Sequence, residues 1–291
     1  VNASAIHPAW QRAPLHFTEG YSLEITAKDV PALIDAAPNI AADTPVAITF
    51  LPGETMDARI AAAVAVRDLG FEPMPHLSAR RIESPNELAA IVQRTTAEAG
   101  ARRFFLVAGD PPVPAGPFPD TMSLLETGLF ETNGIRAIGV AGHPESHPAM
   151  DARARWSWLH RKCDAIGERG MAPLIVTQFG FDAQPFLDWL VELRAQGIDA
   201  PVRIGVPGPA GIKTLLRFAA HCGVGATASV MTKYGVSVTK LLGTAGPDKL
   251  VDALEAGLTP AHGPVRLHFY PFGGLARTVE WIDARSAAAR R

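Results

Sequence analysis

Cysteine is scarce: Cys163 and Cys222 are the only two in 291 residues. A disulfide framework and a Cys-x-x-Cys metal site are excluded, and at most one bridge could form. An excess of charge of one sign is missing as well. Lys plus Arg number 27 against 29 Asp plus Glu, a formal net charge of −2. There is no basic stripe of the kind a nucleic-acid binder presents. No apolar run reaches the roughly 18 residues that suggest a membrane span. Residues 1–19 have no basic stretch leading into an apolar one, so they read as an N-terminal extension and not as a signal peptide. The expectation is a soluble, cytoplasmic protein.

Two nucleotide-binding patterns are also absent. No Gly-x-Gly-x-x-Gly follows the first apolar run, which weighs against a dinucleotide-binding open sheet. The glycine- and proline-rich stretch 205–211 lacks the Gly-Lys-Ser/Thr ending of a P-loop and reads as a strand-to-helix turn. What is present is apolar content, 47% of the chain, enough to bury a large core and to exclude disorder.

That content is distributed with a regular rhythm. Eight short apolar runs fall at 22–26, 46–50, 73–77, 103–108, 135–141, 173–177, 201–206 and 265–270. Helical patterns separate them, at 56–69, from 84, and at 150–167, 182–196, 212–221, 236–242 and 247–256, with a last one at 275–289. Ser84-Pro-Asn-Glu has a capping residue followed by proline at the first helical position. Strands alternating with helices predict parallel βαβ units. Eight of them, in a length near the roughly 250 residues typical of the fold, predict a single (β/α)8 barrel over residues 1–291.

A barrel carries its chemistry at the C-terminal ends of its strands. Glu24, Thr49, His76, Gly109 with Asp110, His143 with His147, Gln178 and His268 all lie in or just after a strand. A carboxyl group turned into an apolar barrel is costly to ionise, which makes Glu24 a candidate general acid if it points inward and a plain surface residue if it does not. Thr49 could hydrogen-bond it. Asp110 before two prolines is either a site residue or a turn former. His143-Pro-Glu-Ser-His147 has the i, i+4 spacing of a metal pair, but Pro144 puts it in a loop and no metal is expected. Trp156, Trp158 and Trp189 read as packing residues.

In order, these residues resemble the flavin-dependent methylenetetrahydrofolate reductase family. The resemblance is carried by Ser22-Leu-Glu24, Pro75-His-Leu-Ser78, Gly109-Asp-Pro-Pro112, Ala141-Gly-His-Pro-Glu-Ser-His-Pro148, Ile175-Val-Thr-Gln-Phe-Gly-Phe-Asp182 and His268-Phe-Tyr270. It extends from about residue 20 to 285. It implies a (β/α)8 barrel that binds FAD and interconverts 5,10-methylenetetrahydrofolate and 5-methyltetrahydrofolate, with NADH or NADPH as reductant.

Carried over by position, it implies Glu24 as general acid, supported by Thr49, and Asp110 near flavin and pterin. Gln178 and Phe218 would contact the substrate. Thr49, His76, Gly109, Asp110, His143, His147, Arg161 and Lys162 would hold FAD. The family forms homo-oligomers. The chain departs from the family pattern at Ala108, at His143 and at Arg155, which stands where an acidic residue is the rule. Two alternatives keep the folate and drop the flavin: direct use of NAD(P)H, or a folate-binding barrel without catalysis. Glu24, Asp110 and Gln178 together weigh against the last.

Overall fold

The computed structural model of the chain describes residues 16–147, 149–221 and 244–289. Eight parallel strands close on themselves: β1 (Ser22–Ile25), β2 (Pro45–Ile48), β3 (Glu72–Ser78), β4 (Arg103–Val107), β5 (Ala137–Gly142), β6 (Ala172–Phe179), β7 (Val202–Pro207) and β8 (Val265–Tyr270). Each pairs with its neighbours in chain order, and β8 returns to β1 to complete the (β/α)8 barrel. Ring closure sets Ser22 opposite His268 and Leu23 opposite Phe269.

Alternation along each strand divides the side chains into two populations. Leu23, Val46, Leu77, Phe104, Ile138, Ile175, Ile204 and Leu267 belong to the large core that the strands share with the outer helices. Ala47, Met74, Phe105, Ala137, Leu174 and Val176 form a separate cluster, the barrel interior. At the N-terminal ends of the strands the filling is polar. Arg103 lies 3.4 Å from Glu72, and the fully buried Arg203 donates to the Gly20 carbonyl at 2.9 Å. Burial, with Arg103 and Arg266 nearby, pushes the Arg203 guanidinium down to about 9.

Most of the helices form where the sequence pattern places them, and the short ones at Thr121–Leu125 and Leu129–Thr132 are additional. They are α1 (Val30–Ala36), α2 (Met56–Asp68), α3 (Pro85–Ala99), α4 (Thr121–Leu125), α5 (Leu129–Thr132), α6 (Ala152–Glu168), α7 (Ala183–Ala195), α8 (Ile212–His221), α9 (Asp248–Gly257) and α10 (Leu275–Ala289). Ser84 caps α3, its hydroxyl accepting from the Glu87 amide at 3.1 Å, with Pro85 in the first turn and Gly100 closing the helix at φ +60°. A cap of this kind is worth about 1 kcal/mol. The expected helix at 236–242 lies outside the described residues.

β6 runs two residues further than the apolar pattern suggests, because its pairing with β7 slips between Val176 and Phe179. At the slip the Thr177 hydroxyl accepts from the Gly205 amide at 2.8 Å. Near the N-terminal extension, Thr18 and Ser286 of α10 lie within hydrogen-bond distance, 2.9 Å. Among the described residues no helix is long and apolar enough to cross a membrane.

Candidate active site

Glu24 points into the barrel. It is the third residue of β1, and its side chain is 18% exposed. Its Oε2 lies 3.5 Å from His268 Nε2 and 3.7 Å from His76 Nε2. The two rings arrive from β8 and β3, on either side of the carboxyl group. His268 is 1% exposed, and its Nδ1 is 2.8 Å from the Ser22 hydroxyl. His76 packs on Phe105, ring centroids 4.6 Å apart. Burial drives the His76 imidazole down to about 4, against the opposing pull of Glu24. His76 is therefore neutral near pH 7, and the carboxyl group faces no fixed positive charge from that side.

Above Glu24 opens a cavity of about 340 Å³ whose lining includes Glu24, Thr49, Phe218, Tyr270, Phe272 and Leu275. Its walls come from the ends of β1, β2 and β8 and from α8. Phe218 stacks on Phe272 at 4.1 Å with planes 14° apart, and Phe179 sets its edge against Phe272 at 4.8 Å. Aromatic faces of this kind suit a flat heterocycle. Thr49 lines the same cavity, but its hydroxyl donates to the Ile25 carbonyl at 2.8 Å. It steadies the end of β1 and does not hydrogen-bond the Glu24 carboxylate as the sequence reading anticipated. Tyr270 donates to the Thr177 carbonyl at 3.1 Å, tying β8 to the slipped part of β6 next to Gln178.

The other predicted residues stand elsewhere on the rim. Asp110 is 90% exposed and 3.6 Å from Arg81. It is not part of the cavity lining, and neither is Gln178, half-buried near the end of β6. Gly109 precedes Asp110 at φ +95°, and a Cβ there would collide with the Ser78 hydroxyl. Only glycine fits. The Ser78 oxygen is itself buried without a hydrogen-bond partner.

A second cluster follows β5. The His143 and His147 rings meet edge to face at 4.7 Å. Arg155, on α6, donates to the carbonyls of His143 at 2.6 Å and of Glu145 at 3.3 Å. Lys162 lies two turns further along the same helix. Burial pushes His143 down to about 3, and His147, Lys162 and Arg155 push in the same direction. His147 and Lys162 are lowered too, by burial first. Several groups that carry or could carry positive charge thus lie close to one another, and an anion among them would relieve each of them. Among the described residues no group of three His, Cys, Asp or Glu could hold a metal ion. Arg161 does not join this cluster. It is exposed, its guanidinium 4.6 Å above the Trp158 ring, because adjacent helical residues point about 100° apart.

The sequence reading gave His268 no role in the site, and Ser22 entered only as a motif residue. The signal for both was the period-2 series Ser22, Glu24 in β1 and Arg266, His268, Tyr270 in β8, which puts them on the inward face.

A family model described as Methylenetetrahydrofolate reductase matches residues 21–270. Methylenetetrahydrofolate reductase 2 of Saccharomyces cerevisiae is 30% identical over 166 residues, 54% of this chain and 26% of that protein. A 5,10-methylenetetrahydrofolate reductase of Escherichia coli is 33% identical over 151 residues, 52% of this chain and 48% of that protein. The chain thus matches about half or less of the length of these relatives. Among solved structures, an uncharacterized Clostridium thermocellum protein that binds two copies of 5-methyl-5,6,7,8-tetrahydrofolic acid superposes with TM-score 0.59 at 12% identity, covering 92% of this chain and 94% of that one.

Proposed function

The chain belongs to the methylenetetrahydrofolate reductase family, and from that premise we propose that it interconverts 5,10-methylenetetrahydrofolate and 5-methyltetrahydrofolate. The observation that carries the reading is the Glu24 carboxyl group, set between two imidazole rings at the floor of an aromatic-walled cavity. Opening the five-membered ring of the methylene-folate needs a proton on the departing nitrogen, and Glu24 supplies it. The resulting iminium carbon then accepts hydride. The stacked Phe218–Phe272 pair would offer one aromatic face to the pterin, and Gln178 and Asp110 would approach from the rim.

The second cluster fits the diphosphate of FAD. His143, His147 and Lys162 would hold it, and Gly109 with the unpartnered Ser78 hydroxyl would meet the ring system. When bound, FAD would carry hydride between NADH or NADPH and the folate. Arg155 favours a second reading. Its guanidinium is tied to loop carbonyls at the place where the family's acidic residue would meet the adenosine, so hydride from NAD(P)H without flavin is the competing route.

The absorption spectrum of the purified protein, before and after incubation with FAD, separates the two. Flavin bands support the first reading, and a colourless protein that oxidises NAD(P)H with methylene-folate supports the second. Glu24→Gln tests the acid under either. Folate turnover should fall by about 10²–10⁴-fold, while any reduction of bound flavin by NAD(P)H continues. Equal loss in both half-reactions would remove Glu24 from its assigned step.

A further inference from the structure

Both imidazoles beside Glu24 close on the same carboxyl oxygen. His268 Nε2 is 3.5 Å from Oε2, and His76 Nε2 is 3.7 Å from it. His268 is the better controlled of the two. It is buried at 1% exposure, its Nε2 has no hydrogen-bond partner within bonding distance, and its other nitrogen is 2.8 Å from Ser22 Oγ. That contact is built into the ring closure, because Ser22 and His268 are register partners. We propose that Ser22 and His268 form a positioning pair. The Ser22 hydroxyl donates to Nδ1, fixing the Nε2–H tautomer, and this N–H is turned toward Oε2 at 3.5 Å, ready to close on the carboxylate as Oε1 gives up the proton used in the reaction.

The tautomer decides the outcome. A neutral histidine has one donor and one acceptor nitrogen. With hydrogen on Nε2, His268 donates to the carboxylate left after proton transfer and stabilises it. With hydrogen on Nδ1, a lone pair would face the same oxygen and oppose ionisation. Ser22 selects between them at the far side of the ring, without touching the carboxyl group. Among the described residues, the charged and titratable groups around Glu24 are His268 from β8, His76 from β3, and Asp29 and Tyr270 on the cavity wall. The first two are imidazoles, and burial keeps His76 uncharged. The Tyr270 ring stands edge-on to His268 at 4.8 Å.

The inference rests on the reading of Glu24 as the acid, and the experiment separates the two. In protein carrying ¹⁵N-labelled histidine, without substrate, the His268 ring should show the Nε2–H tautomer. An Nδ1–H ring overturns the proposal, and this measurement does not depend on any variant folding. In kinetics, Ser22→Ala should lower kcat by about tenfold, the effect of one buried hydrogen bond. It should also move the alkaline limb of the kcat profile to higher pH, because a carboxylate that loses a donor ionises less readily.

His268→Gln places an amide N–H near the position of Nε2 and should retain more activity than His268→Ala. Adding Ser22→Ala to His268→Gln should cost nothing further, since the tautomer no longer exists to be set. A uniform loss at every pH, with no movement of the limb, overturns the positioning role. If Glu24→Gln leaves turnover intact, the acid assignment fails instead, whatever the histidine spectrum shows.

Discussion

The two halves of the barrel rim are built on opposite principles. Around β1, β2 and β8 the Glu24 carboxyl group sits under aromatic walls, and the His76 imidazole beside it bears no fixed charge. Around β5 and α6, His143, His147, Arg155 and Lys162 lie close together, each of the histidines and the lysine shifted toward its neutral form. The first half is arranged so that one proton can move. The second, on the proposed function, would hold a negatively charged guest. On the proposed function, a flat heterocycle and a diphosphate would be bound on separate strands, where each environment can be tuned alone.

Reversing one charge in the cationic half should give the largest separation. Lys162→Glu is expected to weaken FAD binding by on the order of 10–100-fold, the scale of one or two charge-assisted hydrogen bonds. Folate affinity, by equilibrium titration, should stay within about twofold. Comparable loss of both ligands would mean that the halves are not independent. On the aromatic side, Phe218→Ala removes the face stacked on Phe272. KM for the folate should rise by roughly tenfold, with FAD affinity unchanged.

Acid should probe both halves together and then divide them. His76 and His143 are held neutral by burial, at about 4 and about 3 against an ordinary 6.5. The unfolded chain takes up protons first, so their contribution to stability is full above pH 6.5 and is lost as pH falls. The His76 share stops falling near pH 4, and the His143 share continues to near pH 3. His143→Asn should flatten urea midpoints measured below pH 4, and His76→Asn should not. The smallest effect belongs to Asp110→Asn. Its exposed ion pair with Arg81 is worth at most about 0.5 kcal/mol to stability. A large fall in turnover at unchanged stability would then locate Asp110 in contact with a ligand.

The architecture was legible because parallel strands buried on both faces leave apolar runs such as Phe104-Phe-Leu-Val107, and because Ser84-Pro85 and Gly100 mark helix ends by local chemistry alone. The end of β6 was not legible. Pairing there depends on a slip against β7, which involves residues about thirty positions away. Glu24, His76 and His268 could each be singled out from their strands, but that they meet could not be read there. Ser22, His76 and His268 meet through closure of the ring, a contact across 246 positions in the case of Ser22 and His268.

Arg161 and Lys162 show the same limit at short range. Both are basic and adjacent, and only the phase of α6 decides that one lies over Trp158 and the other faces the histidines. Thr49 lines the cavity beside Glu24, but its hydrogen goes to a backbone carbonyl, a partner that sequence pattern does not reveal.

The slip in β6 gives the barrel an unusual freedom. In an unbroken strand, the residues that fill the interior dictate the orientation of every residue after them. Past Val176 that rule lapses, so Leu174 and Val176 can be chosen for packing while Gln178 and Phe179 answer to the rim alone. New contacts could be selected on this stretch of the mouth without disturbing the staves that hold the cask together.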